Sequence, residues 1–436
     1  MTTVPLDDPP LGGEAVEAVE VVERDGADLV SGAAALATVV ESPPAAPVHE
    51  IASPRPLAPW RLLARRKATG RLVLPGIWFP IGLYAVWRAV QMALSVWLGG
   101  DPQYGAFFYD SQHYLRIMHI GYVHPRWIMP SEAFFPAVSW LGWPLWKLTG
   151  SDLITVHAVA TVTGLAAFIT VWGVSRAWRG ERIARRAVLL FALMPGSLFL
   201  WAFYSEGLFI ALGAGAVWAD RRGRRGIATA LLVGIGATRS IGILIPAVLI
   251  LCRVIRERRV DKWCWAYGAA GLSGLVAVLA VMHAQVGDAF AFMKVQKDWG
   301  RSLSAPWTTV LQGYHNLWPR PGTVMIPSLV ARNFDLWCVA IVVLGLAYAA
   351  FSRRDRFPTE TWMLGVAMIV LPLCSSVLAS FNRFAFADWV LYPVYASAIE
   401  RLPRPWRIAT MSSIAVALVL TSYAMIGRFS IGQFVG

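Results

Sequence analysis

The chain has 436 residues, 57% hydrophobic and 15% charged, with 39 basic against 26 acidic side chains. Soluble domains carry nearer a quarter charged residues, so this composition argues against a cytosolic globule. Its apolar residues come in long blocks that fit one polytopic membrane domain. The net charge of +13 hides a split, because residues 1–58 hold ten acids and two bases, net −8, leaving 37 bases and 16 acids in residues 59–436.

Residues 1–58 contain no aromatic residue and are rich in Ala, Pro, Val and acid. Such a segment buries too little apolar surface to offset its ordering entropy, which predicts a disordered cytoplasmic tail ahead of a transmembrane domain over 59–436. The apolar stretch near Leu29–Val40 is short and follows acids, unlike a signal peptide. Cys252, Cys264, Cys338 and Cys374 lie in or beside apolar blocks and read as small buried hydrophobes, with no disulfide framework.

A crossing helix needs about 20 mostly apolar residues, and short loops rich in Lys and Arg mark the cytoplasmic side. Arg61, Arg65, Arg66, Lys67 and Arg71 put the N-terminus inside, and a first helix over about 75–98 exits. The next basic loop is Arg176 to Arg186, so only one full crossing, about 152–175, fits between them. Residues 107–149 then read as a far-side segment with interfacial helices, in keeping with their Trp and Tyr content.

Helix three (about 187–203) exits at Tyr204-Ser205-Glu206, and helix four returns to Arg221–Arg225. The block 226–255 has bases at both ends, which predicts a hairpin turning near Thr238–Gly242. Helix seven (about 264–286) exits into a long far-side segment, 287–333. Helix eight returns to Arg353–Arg356, helix nine exits at Phe381–Phe384, helix ten returns to Arg401–Arg407, and helix eleven ends outside. Ten to twelve crossings are expected, with 25 of the 37 bases in the loops assigned inside. The positive charge therefore sets orientation and is no sign of nucleic acid.

Ionisable groups at membrane depth are costly and by default suggest function. They fall at Asp110, Glu132, Glu206, Arg239, Gln296–Arg301 and Asn382-Arg383, all at far-side ends. On a helix starting near Asp110, His113 and Tyr114 share its face. A carboxylate beside an imidazole and a phenol suits a general base toward a hydroxyl; a simple helix cap is the plain alternative. Glu132 and Glu206 read equally as acids at helix starts. Arg239 interrupts an apolar hairpin and could partner Glu206; Arg301 could be an exposed loop arginine; Asn382-Arg383 could snorkel into headgroups. Planar guanidinium groups also suit bidentate binding of phosphate, so Arg239, Arg301 and Arg383 are candidates for a lipid phosphate.

The motifs stand in a fixed order. Tyr109-Asp110 through Tyr114 with Gly121-Tyr122 comes first, then Glu132-Ala133-Phe134-Phe135-Pro136. Pro195 with Tyr204-Ser205-Glu206 and Leu208-Phe209 follows, then Ala237-Thr238-Arg239-Ser240 with Gly242. Last come Gln296 with Trp299-Gly300-Arg301, and Asn382-Arg383-Phe384 with Tyr392-Pro393. Over about residues 75–400 this set resembles the GPI mannosyltransferase 2 family of multi-spanning GT-C glycosyltransferases and its bacterial relatives. Tyr109 stands where that family often has Trp, and the acidic tail is not a family feature. The abundance of Ala, Arg and Trp suggests a GC-rich bacterial source such as an actinobacterium.

The resemblance implies an all-α GT-C bundle in the cell membrane and a donor of polyprenyl-phosphate-mannose type. It implies transfer to a lipid-linked glycan outside the cytosol, with Asp110 as base. On that reading His113 orients Asp110 or the phosphate, and Glu132 and Glu206 hold sugar hydroxyls or the arginines. Tyr114, Trp299 and Tyr392 flank the sugar, while Gln296 and Asn382 complete the substrate-binding set. No Asp-x-Asp motif stands near, so neither a metal-dependent nucleotide-sugar mechanism nor a cofactor is expected. Two other readings keep the fold: a transporter or flippase of a lipid-linked glycan, which needs no catalytic acid, and a non-catalytic subunit of a glycosylation complex. Polar groups confined to one side speak against the transporter.

Overall fold

The computed structural model describes residues 76–98, 100–101, 105–122, 130–315 and 334–430. These lie within one unit, Arg71–Gly436. The predicted tail over 1–58 and the first basic cluster fall outside the described residues. Those described are helical with turns, and none is a β-strand.

The first helix, α1, is Trp78–Trp97. Two short helices follow, α2 (Asp110–Ile120) and α3 (Ala137–Thr149), where interfacial helices were expected. The outer face of α3 shows Trp140, Leu141 and Trp143, as suits a membrane interface. Helix α4 (Asp152–Arg179) is the one long helix of this stretch, capped by Ser151, whose hydroxyl accepts from the Ile154 amide. It packs along α5 (Glu181–Leu193) and α6 (Ser205–Arg221), and these three with α1 form the main core around the fully buried Trp172 and Trp201.

Helix three was expected to run to about 203 but ends at Leu193. Pro195 lacks the amide that a continuing helix needs, and Pro195–Leu200 is a 3-10 segment. The predicted hairpin is present: α7 (Arg225–Ile235), a 3-10 turn at Ser240–Ile243, and α8 (Leu244–Glu257). Eleven residues rise only about 16 Å, roughly half the hydrocarbon thickness, so α7 alone is too short to cross a bilayer. A side chain at Gly242 would overlap the Ile235 carbonyl, so the turn that carries Arg239 closes only around glycine.

Helix α9 (Lys262–Val286) packs on α7 and α8. It leads through the short α10 (Ala291–Lys294) to α11 (Pro306–His315). After it come α12 (Phe334–Phe351) and α13 (Thr359–Leu373). Helix ten is broken rather than continuous: α14 (Phe381–Ala387) and α15 (Leu391–Glu400) flank Asp388-Trp389-Val390. The last helix is α16, Arg404–Ser430. Among the described residues, five helices (α1, α4, α9, α12 and α16) are long and apolar enough to cross a membrane. The other expected crossings are built from shorter helices or the broken pair. This is the architecture of a multi-pass membrane protein.

Loops assigned to one side meet at one end of the bundle. Asp355, after α12, is held by Arg179 at the end of α4 and by Arg401 after α15. Glu360, at the start of α13, accepts from Arg221 at the end of α6 and from the Trp178 indole. The four cysteines are free, and all but Cys374 are buried, as their apolar settings predicted.

Candidate active site

The polar residues singled out above converge at the opposite ends of these helices. Asp110 is the first residue of α2, preceded by Tyr109 at φ +54°, ψ −118°. A non-glycine residue at such a positive φ costs roughly 1–3 kcal/mol and persists where its surroundings over-determine it. Those surroundings are visible. The Tyr109 ring packs against Phe429 of α16 at 6.2 Å, and the Tyr204 hydroxyl donates to the Phe108 carbonyl at 3.4 Å. The strained step aims Asp110 into the cluster.

Arg383, on α14, lies against Asp110, its Nη1 2.5 Å from Oδ2. Its Nε and Nη2 lie 2.8 and 2.7 Å from Glu206 Oε1. Glu206, in the first turn of α6, is fully buried and also accepts from Arg239 Nη1 at 3.0 Å. Aromatic faces back both arginines: Phe199 and Tyr204 under Arg383, and Phe384 under Arg239. The result is a continuous chain, Asp110–Arg383–Glu206–Arg239, drawn from four distant segments. Asp110 Oδ1 accepts no hydrogen bond among the described residues.

Arg301 stands apart. Its loop is tied by the Gln296 carbonyl, which accepts from the Trp299 and Arg301 amides at 3.2 and 2.9 Å, with Gly300 at φ +67° between them. The guanidinium lies within electrostatic reach of Arg383, Asp110 and Arg239. Burial, then Arg383, pulls it below the usual arginine value, though an arginine stays charged. Among the described residues no carboxylate pairs with it. It is neither a paired cation nor an exposed loop arginine, since it is partly buried beside the cluster.

His113 forms an aromatic wall beside this group. Its ring stacks on Phe134 at 4.4 Å and 11°, and Trp299 meets His113 and Phe134 edge-on at 5.5 and 5.6 Å. His113 Nδ1 shares a 3.0 Å hydrogen bond with Ser131 Oγ. Glu132 is buried next to Ser131, within electrostatic reach of Tyr122. The Ala137 amide donates to the Ala237 carbonyl at 3.1 Å, tying the segment after Glu132 to the turn that carries Arg239.

Several expectations need correction. Tyr392 does not flank the cluster: its hydroxyl donates to the Phe386 carbonyl and its ring packs on Phe191 in the core. Tyr114 is buried too, donating to Ser205 Oγ at 2.9 Å. Asn382 is enclosed, and the Gln296 side chain donates to the Phe292 carbonyl. Arg383 does not snorkel outward, being held by two acids, and Arg239 takes its expected alternative as partner of Glu206. Sequence reasoning assigned no role to Phe199 and Tyr204 beneath Arg383, or to Ser131 beside His113. An aromatic under a cation gives no signal at fixed spacing.

Residues 101–298, which hold Asp110, Glu206, Arg239, His113 and Phe134, match the family model described as Mannosyltransferase (PIG-V). The match covers somewhat under half of the chain. The resemblance carried by the ordered motifs therefore holds. Among solved structures, ArnT from Cupriavidus metallidurans bound to undecaprenyl phosphate is similar at 15% identity and a TM-score of 0.51, over 80% of this chain and 78% of that one. The apo oligosaccharyltransferase of Archaeoglobus fulgidus aligns at 14% identity and a TM-score of 0.46, over 82% of this chain. The chain spans 56% of that protein's length. No curated protein matches the sequence. At such identity the likeness to ArnT speaks to fold alone, and that fold is GT-C.

Proposed function

We propose that the protein is an inverting membrane mannosyltransferase, moving mannose from a polyprenyl-phosphate-mannose donor to a hydroxyl of a lipid-linked glycan. The observation that carries this reading is Asp110: one carboxylate oxygen is fixed by Arg383, and the other accepts nothing among the described residues. A base needs that combination of fixed direction and free lone pair. Asp110 Oδ1 takes the acceptor proton as the acceptor oxygen attacks the anomeric carbon. The bond from that carbon to the phosphate oxygen breaks, and its electron pair leaves with the lipid phosphate. One base and a good leaving group suffice for inversion, by analogy with inverting glycosidases.

Charge bookkeeping supports the donor class. Asp110 and Glu206 offset Arg239 and Arg383, so the four-residue chain is neutral. With Arg301 these five residues carry one positive charge, matching the single negative charge of a phosphodiester-linked sugar. Its planar fork suits phosphate oxygens and stabilises the charge that develops on them. The wall of His113, Phe134 and Trp299 offers apolar faces to a sugar ring, with Glu132 near for its hydroxyls. The family-model match over residues 101–298 supports mannose, and ArnT with undecaprenyl phosphate shows a lipid phosphate in a protein of this fold. The catalytic domain is then residues 59–436, with the N-terminus cytoplasmic and the site extracytoplasmic, as the basic loops direct.

The test is an assay of purified protein in lipid with polyprenyl-phosphate-mannose and a mannolipid acceptor, scored by mass spectrometry. The expected result is a new glycosidic bond of inverted anomeric configuration, lost in Asp110→Asn. Lipid movement between leaflets with no new bond would establish the transporter instead.

A further inference from the structure

We infer that Asp335 is a positioning residue that holds Arg383, and through it Asp110, in working geometry. Asp335 lies in the first turn of α12, and both of its oxygens are spent on the start of α14. Oδ2 accepts the Ser380 amide at 3.1 Å and Oδ1 accepts the Asn382 amide at 2.6 Å. A carboxylate that bridges two amides two residues apart fixes both the position and the rotation of that backbone.

Ser380 shows why the clamp is needed. It sits at φ +67°, a left-handed conformation unfavourable to a residue that carries a side chain. Without Asp335 the chain relaxes from that state, and α14 starts elsewhere. Arg383 is the third residue of α14, and its own amide bonds the Ser380 carbonyl at 3.1 Å. Any shift at Ser380 therefore passes directly to Arg383. Its guanidinium has little tolerance, since three nitrogens must meet Asp110 and Glu206 at once. Displacement of a reacting group by about 1 Å can cost on the order of 100-fold in rate. No hydrogen bond or ion pair joins Asp335 itself to Asp110, Glu206 or Arg239 among the described residues.

The rate effect rests on the transfer reaction proposed above, whereas the coupling between the two residues does not. Asp335→Asn replaces one acceptor oxygen with an amide that faces a backbone N–H. In the transfer assay its kcat should fall at least about tenfold with donor KM within about twofold of wild type. In an Arg383→Lys background the same substitution should change kcat by less than about threefold, because the geometry it protects is already lost. A helix cap that served stability alone would lower the yield of folded protein and leave kcat per folded molecule, and the cycle, unmoved.

A second cycle, read in thermal unfolding of the full chain, pairs Asp335→Asn with Asp110→Asn. Non-additive shifts support the clamp even if wild-type protein transfers no sugar, an outcome that would count against the proposed reaction alone. Additive shifts, or an Asp335→Asn enzyme as fast as wild type, overturn the inference. Where Asp335→Asn does not accumulate, Asp335→Glu serves in both cycles. It keeps the charge on a side chain one methylene too long, and the same non-additivity is expected.

Discussion

Arg383 Nη1 lies 2.5 Å from Asp110 Oδ2 across 273 residues of chain. The same guanidinium grips Glu206, so the orientation of the proposed base depends on a helix late in the sequence and on a buried acid midway along it. A lysine could satisfy one of these contacts but not both, because its ammonium is a point charge without a planar fork.

Asp110→Asn keeps the shape of the side chain and removes its basicity. Transfer should fall by about 10²–10⁴-fold, with circular dichroism and elution volume unchanged. Undiminished transfer by this variant would remove Asp110 from the role of base.

Arg301→Ala should act on the donor. Losing hydrogen bonds to a charged phosphate removes roughly 1.5–3 kcal/mol, which corresponds to a rise in donor KM of about 10- to 100-fold. Acceptor KM and thermal stability should stay near wild type, since Arg301 holds no carboxylate among the described residues. A marked fall in melting temperature with unchanged donor KM would mean that Arg301 is structural.

Glu206 should behave in the opposite way. Glu206→Gln leaves Arg239 and Arg383 without their buried partner, and breaking such a pair costs about 3–5 kcal/mol. Adding Arg239→Gln removes one orphaned cation and should restore part of that loss in denaturant unfolding. Strictly additive destabilisation would contradict a shared network.

Away from the site, Asp261 caps α9 by accepting the Trp263 and Cys264 amides and holds Arg253 at 2.8 Å. The hydrogen bond from Arg253 holds its carboxyl well below the usual carboxylate range. Its stabilising effect is thus complete above the unfolded value near 4 and drains away as the pH falls through the lower folded value. Asp261→Ala should cost at least the ~1 kcal/mol of a lost helix cap at pH 7. The gap from wild type should narrow only below about pH 4, and melting curves at pH 7 and pH 2 check it.

Which loops share an end of the bundle was legible because basic residues recur in alternate short loops. The gathering of Arg179, Asp355, Arg221 and Glu360 at one end follows the same alternation. The convergence of Asp110, Glu206, Arg239 and Arg383 was legible as a shared side, since each is an ionisable residue at the end of an apolar helix. Which arginine is spent on an acid and which stays open was not. Arg239, Arg301 and Arg383 are the same residue type in similar settings, and only three-dimensional pairing separates them. Tyr392 was misplaced for a related reason, because a sugar-facing tyrosine and a core tyrosine look alike in a sequence. Asp335 was invisible because its partners are backbone amides, which every residue but proline carries.

The neutral chain with Arg301 beside it has a consequence for turnover. In the proposed reaction a donor phosphate of charge −1 meets a site of charge +1. Cleavage turns that phosphate into a monoester, whose second ionisation near pH 6 carries it toward −2. The acceptor's proton, parked on Asp110, raises the site to +2 at the same moment. Electroneutrality is then kept from Michaelis complex to product complex, and the spent lipid leaves most easily together with that proton. Exit of the carrier and resetting of the base would be a single coupled event.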